Sequence, residues 1–187
     1  PAAPWRGHMT ERAAKALLAS EGLPVTEEAL AATPSEAAAI ADELGYPVVL
    51  KVDSPDLPHK TEAGGVRLNL TSPTEVQTAF NETLTSARQH SPEARLNGCL
   101  VQQQVSGALA ELLVGITPSP IGPLLTVGAG GIFTEALRDV TRRLAPVTEA
   151  EAHEMLRELR IYPLLTGARG RPEADLGALT RLIAQLS

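Results

Sequence analysis

Aromatic residues are nearly absent: two Phe, two Tyr and one Trp, 3% of 187 residues. Leu, Val, Ile and Ala must therefore fill the core, and the stacking platforms of single-stranded nucleic-acid binders are missing. A single cysteine, Cys99, excludes an internal disulfide and fits a reducing cytoplasm best. It sits in the apolar run Cys99-Leu100-Val101 and reads as a buried thiol, not a reactive one. Positive charge is in deficit, with 16 Lys and Arg against 22 Asp and Glu and a net charge of -6. That argues against bulk nucleic-acid binding, which needs a basic face. No apolar run approaches the ~20 residues of a membrane span, and no signal peptide is visible. There are no repeats, no nucleophile elbow, no P-loop lysine motif and no dinucleotide fingerprint. His8, His90 and His153 show no metal-ligand spacing and are assigned to the surface, and no metal ligand is assigned within the chain.

With 43% hydrophobic and 20% charged residues, the chain reads as globular. Its length suits one large domain or two small lobes around a shared cleft. The start at Pro1 and the triplet Gly7-His8-Met9 fit a trimmed chain with an N-terminal tail or cloning residue over 1–9.

Helix starts are written clearly. Thr33-Pro34-Ser35-Glu36 and Ser72-Pro73-Thr74-Glu75 each supply an N-cap hydroxyl, a proline at the first helical position and a glutamate at the third. Thr148 with Glu151 repeats the box without the proline, and Gly45 is a natural stop for the first of these helices. Val76, Phe80 and Leu84 form one buried stripe. An earlier helix near 11–21 is expected to bury Ala13, Ala14, Leu17 and Leu18, and a last one near 174–186 presents Leu176, Leu179, Leu182, Ile183 and Leu186. Strands are expected at 48–52, 66–70, 100–105, 112–116 and 124–127. The second of them alternates apolar and polar residues. The fold class is α+β in two lobes: residues 10–105 and 106–187, with the small-residue step Ser106-Gly107-Ala108 at the boundary.

Several residues can carry chemistry. Lys51 ends an apolar run; burying its ammonium unpaired costs several kcal/mol. Either its stem snorkels to water or it points into a cleft that holds an anion. Downstream comes His59-Lys60-Thr61-Glu62-Ala63-Gly64-Gly65-Val66. The glycine pair either forms an anion-binding nest beside the lysines or is an ordinary turn. Gly128-Ala129-Gly130-Gly131 follows an apolar strand and also suits close approach to phosphates. Glu135, Arg138, Asp139, Arg142 and Arg143 come next, read as a solvated charged face or as site residues. Glu111 either faces a cleft, accepting hydrogen bonds from ribose hydroxyls, or points outward.

The blocks Leu44-Gly45-Tyr46-Pro47-Val48-Val49-Leu50-Lys51 and Ser54-Pro55-Asp56-Leu57-Pro58-His59-Lys60-Thr61-Glu62-Ala63-Gly64-Gly65-Val66 closely resemble the ATP-grasp domain of ADP-forming (NDP-forming) acetyl- and acyl-CoA synthetases. These are relatives of the succinyl-CoA synthetase β-subunit. The likeness continues in order through Leu100-Val101-Gln102-Gln103, Glu111-Leu112-Leu113-Val114-Gly115, Arg138-Asp139-Val140, Arg143-Leu144-Ala145-Pro146, Tyr162-Pro163-Leu164-Leu165 and Gly170-Arg171-Pro172.

The resemblance implies two α+β lobes around a cleft for ATP or ADP. Lys51 would contact the phosphates, and Gly64, Gly65, Gly128, Gly130 and Gly131 would approach them. Backbone groups of Gln102, Gln103 and Val105 would read the adenine edge, and Glu111 would hold the ribose. His59 would relay a phosphoryl group between a partner-domain phosphohistidine and the nucleotide, with Lys60 or Arg143 stabilising the transferring charge. CoA-binding and phosphohistidine-bearing domains would lie on the same polypeptide or on a partner subunit. Two departures stand out: the 102–111 segment is one residue longer than the family spacing, and the acidic-Asn-Pro motif and later Asp that hold Mg2+ would fall beyond Ser187. The chain is thus expected to be C-terminally truncated and to turn over poorly alone. The alternative is a regulatory nucleotide- or ligand-sensing ATP-grasp module fused to a protein acetyltransferase.

Overall fold

A computed structural model of the chain describes residues 9–131 and 138–187. The tail expected over 1–9, apart from Met9, lies outside the described residues, as do His8 and Glu135. The chain divides into two compact units, Pro1–Ser106 and Gly107–Ser187.

In the first unit, four strands form an antiparallel sheet in the order β1-β4-β2-β3: β1 Glu28–Ala31, β2 Val48–Asp53, β3 Val66–Leu70 and β4 Gly98–Gln103. Helices α2 (Pro34–Leu44) and α3 (Pro73–His90) cover one face. Both start as the capping pattern dictates. Thr33 and Ser72 accept from the amides of Glu36 and Glu75, and Glu36 reaches back to the Thr33 amide. Glu75 reaches one residue further back, to the amide and hydroxyl of Thr71. Gly45 ends α2 with φ 82°, which costs a glycine nothing. The core on this face joins Val48, Leu50, Val101 and Cys99 to Ala37, Ala41, Val76, Ala79 and Phe80. The Cys99 thiol is fully buried, and desolvation, then nearby Asp53, pushes its pKa up to about 12.

Helix α1 (Glu11–Ser20) differs from expectation: it buries no residue, Ala13 is exposed, and Ala14, Leu17 and Leu18 are only half-buried. The alternation of β3 also breaks. Its pairing with β2 shifts register between Val48 and Leu50, Asn69 adopts φ 57°, and Leu68 ends 60% exposed. A bulge turns the side chains that follow it to the opposite face. Strand β1 was not expected, because Glu-Ala-Leu-Ala carries no β-branched residue; it exists because β4 offers it a ladder.

In the second unit, β5 (Leu112–Thr117), β6 (Leu124–Ala129) and β7 (Val140–Leu144) form an antiparallel sheet in that order. Helices α4 (Glu149–Glu158), α5 (Tyr162–Leu165) and α6 (Leu176–Leu186) complete it, around a core that includes Leu125, Val127, Met155, Leu156, Leu165 and Ile183. Thr148 and Glu151 form the expected capping box. Strand β7 was read as a charged face because it contains Arg142 and Arg143. Asp139 is the clearest correction to that reading. It is buried, and its two carboxylate oxygens accept the backbone N–H groups of Arg160 (2.9 Å) and Ile161 (3.0 Å), fixing the turn between α4 and α5. His153 is half-buried with its ring edge-on to Tyr162, whereas His90 is exposed as expected.

Candidate functional site

The loop 54–65 between β2 and β3 carries His59, Lys60, Gly64 and Gly65. Its apolar anchors are Leu57 and Ala63, buried with Val52 and Ala87. Its polar anchor is Asp56. Arg95 grips both carboxylate oxygens, at 2.9 Å from Nε and 2.7 Å from Nη2, and its backbone N–H adds a third bond at 2.9 Å. These bonds hold the Asp56 pKa at about 2. At the loop's root, Asn97 Nδ2 donates to Asp53 at 3.0 Å. The segment is thus a shaped element tied to the α3–β4 connection.

Lys51 and Lys60 converge on one group. Lys51 Nζ donates to Glu11 Oε1 at 2.6 Å and Lys60 Nζ to Glu11 Oε2 at 2.9 Å. The two lysine side chains are only 23% and 13% exposed. Burial pushes the Glu11 carboxyl up, but hydrogen bonds from Lys51 and Lys60 and their charges more than offset it and bring its pKa to about 2. The Lys51 ammonium is thus paired within the chain, by a carboxylate that neither reading of the sequence included. A cavity of about 660 Å³ opens beside this triad, lined also by His59, Pro58 and Met9. The His59 side chain is 76% exposed, and its Nδ1 lies 4.0 Å from Glu62 Oε1.

The network extends along the same sheet face. Lys15, one turn after Glu11 and 3.7 Å from it, donates to Glu28 (2.5 Å) and to the Thr26 hydroxyl (2.8 Å). Gln102 Nε2 donates to the same hydroxyl at 2.6 Å. Glu28 Oε1 and Gln102 Oε1 are buried with no hydrogen-bond partner among the described residues. Each such orphan costs about 1–3 kcal/mol, so this layer is not arranged for stability alone.

The amides of the glycine pair are hydrogen-bonded within the loop. The Gly64 amide donates to Thr61 O (3.1 Å) and the Gly65 amide to Lys60 O (2.7 Å). A Cβ on Gly65 would lie 2.6 Å from Val52 Cγ1, so the residue's size is what closes the loop. At the end of β4, the N–H groups of Gln103 and Gln104 donate to Glu27 O and Pro47 O. Val105, 65% exposed, is the next residue along the chain.

The second unit has its own small constellation. A cavity of about 400 Å³ is lined by Ala110, Glu111, Gly130, Gly131, Ile161 and Leu164, among others. Gly131 has φ 60°, and a Cβ there would sit 2.2 Å from Glu111 Oε2; only glycine lets this carboxylate lie over the turn. The Gly130 amide donates to Glu111 O at 2.7 Å. Gly128 stands apart from this group. Within β6 it lets β7 close in, since a Cβ would lie 2.6 Å from Val140 Cγ1. Arg143 stands apart too. It faces Leu125 across the ladder, three residues from Val140, a span of roughly 10 Å along the strand. Its guanidinium is occupied by Glu158, the Thr141 hydroxyl (3.3 Å) and Arg142 O (2.9 Å). Bonds from Thr141, then Arg143, lower the Glu158 pKa. Glu11 and Lys15 are the residues missed from the sequence. An acidic residue in a first helical turn looks like dipole compensation, so Glu11 gave no distinguishing signal.

No group of three or more His, Cys, Asp or Glu that could hold a metal is found among the described residues. Nor is any helix among the described residues long and apolar enough to cross a membrane.

The profile of the ATP-grasp domain family matches residues 2–187. The β-subunit of ADP-forming acetate–CoA ligase II from Pyrococcus furiosus is 41% identical over 97% of this chain and 77% of its own length. The chain belongs to the ATP-grasp domain family of ADP-forming acetyl-CoA synthetases. ADP-forming acetate–CoA ligase I from Archaeoglobus fulgidus is 43% identical over 91% of the chain, which spans only 26% of that longer protein. Among solved structures, the Ca. Korarchaeum cryptofilum dinucleotide forming acetyl-coenzyme A synthetase 1 in complex with coenzyme A, Ca-AMPCP and HgCl+ superposes with a TM-score of 0.90. It shares 39% identity over 96% of this chain and 79% of that one. The α+β expectation and the expected family hold, and the acetyltransferase-fusion alternative finds no support among these relatives.

Proposed function

We propose that this ATP-grasp domain is the nucleotide-binding part of an ADP-forming acyl-CoA synthetase. The complete cytoplasmic enzyme interconverts acyl-CoA, ADP and phosphate with free acid, CoA and ATP. The observation that carries this reading is the convergence of Lys51 and Lys60 on a single carboxylate beside a cavity that also takes in His59. Two ammonium groups converging beside a cavity suit a phosphate: they supply charge and up to six N–H donors. Lys51 takes the nucleotide phosphates, and Lys60 stabilises the phosphoryl group in transfer. Val105, following Gln102 and Gln103, reads the adenine edge with its backbone. Glu111, lying over Gly131 and next to Gly130, accepts the ribose hydroxyls.

His59 is the relay. Neutral imidazole attacks the phosphorus of a phosphohistidine on a partner domain; the new P–N bond forms as the old one breaks. A terminal phosphate oxygen of ADP then takes the phosphoryl group, restoring neutral His59 and giving ATP. The exposure of His59 suits delivery by a separate domain. Mg2+, expected to be held by residues beyond this chain, would neutralise phosphate charge when bound with the nucleotide. The domains that bind CoA and bear the phosphohistidine lie on the same polypeptide or on a partner subunit.

Calorimetric titration with ADP tests the nucleotide site. Saturable binding, weakened at least tenfold by Lys51→Ala and severalfold by Glu111→Ala, is the expected result. In the complete enzyme, His59→Ala should abolish phosphoryl transfer with ADP affinity near normal. Full turnover in that variant, or ADP binding indifferent to Lys51, overturns the assignment.

A further inference from the structure

Helix α1 is held in an unusual way. It contributes no buried side chain, and none of its residues belongs to the core on the α2–α3 face of the sheet. Its side-chain ion pairs and hydrogen bonds to the rest of the unit lie near its start: Glu11 to Lys51 and Lys60, and Lys15 to Glu28 and the Thr26 hydroxyl. The Glu11 carboxylate sits where an anion must sit to reach both ammonium groups, at 2.6 Å from one and 2.9 Å from the other.

We infer that Glu11 is an intramolecular competitor for the phosphate at Lys51 and Lys60, and that α1 is a strap that an arriving phosphate displaces. The inference rests on the phosphate-receptor reading of the lysine pair given above. A carboxylate brings one charge and two oxygens. A terminal phosphate brings close to two charges and three oxygens, and therefore satisfies more of the lysine donors. Glu11 nonetheless competes well because it is tethered, at an effective concentration far above that of a free ion. The ligand binds only the fraction of molecules in which the carboxylate has swung away, so its apparent affinity falls by that fraction. What opposes the swing is the partial burial of Ala14, Leu17 and Leu18 and the Lys15–Glu28 pair; no α1 side chain has to leave a fully buried site. The arrangement also keeps the two lysines close together before the ligand arrives.

The test is Glu11→Gln, which keeps the size of the side chain and removes its charge at a half-exposed position outside the core. Two readouts are needed: amide hydrogen exchange over Glu11–Ser20, and calorimetric affinity for ADP and for inorganic tripolyphosphate. In the variant, exchange in α1 should be faster without ligand, and both ligands should bind about tenfold tighter. In the unsubstituted chain, saturating tripolyphosphate should speed exchange in α1. Unchanged or weaker affinity in Glu11→Gln, or slower exchange in α1 when ligand binds, overturns the strap while leaving the nucleotide site standing. Tighter tripolyphosphate binding with no ADP binding in either chain keeps the strap and sinks the nucleotide reading. No binding of either ligand by either chain sinks both.

Discussion

The two faces of the sheet β1-β4-β2-β3 are built from the same strands on opposite plans. On one, Leu50, Val48 and Val101 meet Ala37, Ala41, Val76 and Phe80, and no charged residue intrudes. On the other, Lys51 and Glu28 meet helix α1 through ion pairs, and Gln102 donates to the Thr26 hydroxyl that Lys15 of α1 also reaches. Pairing keeps the two sets apart: Leu50 lies opposite Val101, whereas Val49 lies opposite Gln102 and Lys51 opposite Leu100. The first face supplies stability through area removed from water. The second gives stability up, leaving two buried acceptors without partners among the described residues, and holds two ammonium groups in place. Two faces one residue out of phase thus carry the apolar core and the polar network separately.

Truncations separate the two plans most strongly. Leu50→Ala should cost about 3 kcal/mol of unfolding free energy in urea denaturation, because its site is fully enclosed. Leu18→Ala, under α1, should cost less than about 1 kcal/mol, because the side chain is only half-buried. Equal losses would erase the distinction.

Acid should act on the polar face. The folded Glu11 carboxyl sits at about 2 against an ordinary 4.5, because the lysine hydrogen bonds outweigh the effect of burial. Its depressed pKa means its contribution is complete above pH 4.5 and is lost as the pH falls toward 2. Carboxyl NMR should find the midpoint near 2, and Lys51→Met should raise it and move the loss to higher pH. A midpoint unmoved by Lys51→Met would deny the pairing. The smallest effect belongs to the apolar face. With its pKa pushed up to about 12 by burial, Cys99 should resist iodoacetamide in the native protein at pH 8 and react on unfolding. Rapid native labelling would mean that this face opens readily.

Sequence pattern revealed the apolar plan far better than the polar one. The starts of α2, α3 and α4 were legible because a cap and its glutamate lie three residues apart, within reach of local reasoning. Strand β7 was not, since Arg142 and Arg143 imitate a solvated run while the strand is held by its ladder to β6. The lysines and His59 were visible as chemistry through their family blocks, but not the residue that joins the lysines. Glu11 is 40 and 49 positions away from Lys51 and Lys60, and only the folded chain pairs them. The glycines show the same limit. Spacing marked all five as loop or site positions, and only the packing separates Gly65 and Gly128, which admit neighbouring backbone and side chains, from Gly131, which admits the Glu111 carboxylate.

The bidentate clasp of Arg95 on Asp56, with Asn97 on Asp53 beside it, makes the histidine-bearing loop a self-contained cassette. Residues 53–66 can be transplanted between relatives of different acid preference only if Arg95 and Asn97 travel with them. A graft that moves the loop alone would leave its two fastenings behind, and the imidazole would arrive without an address.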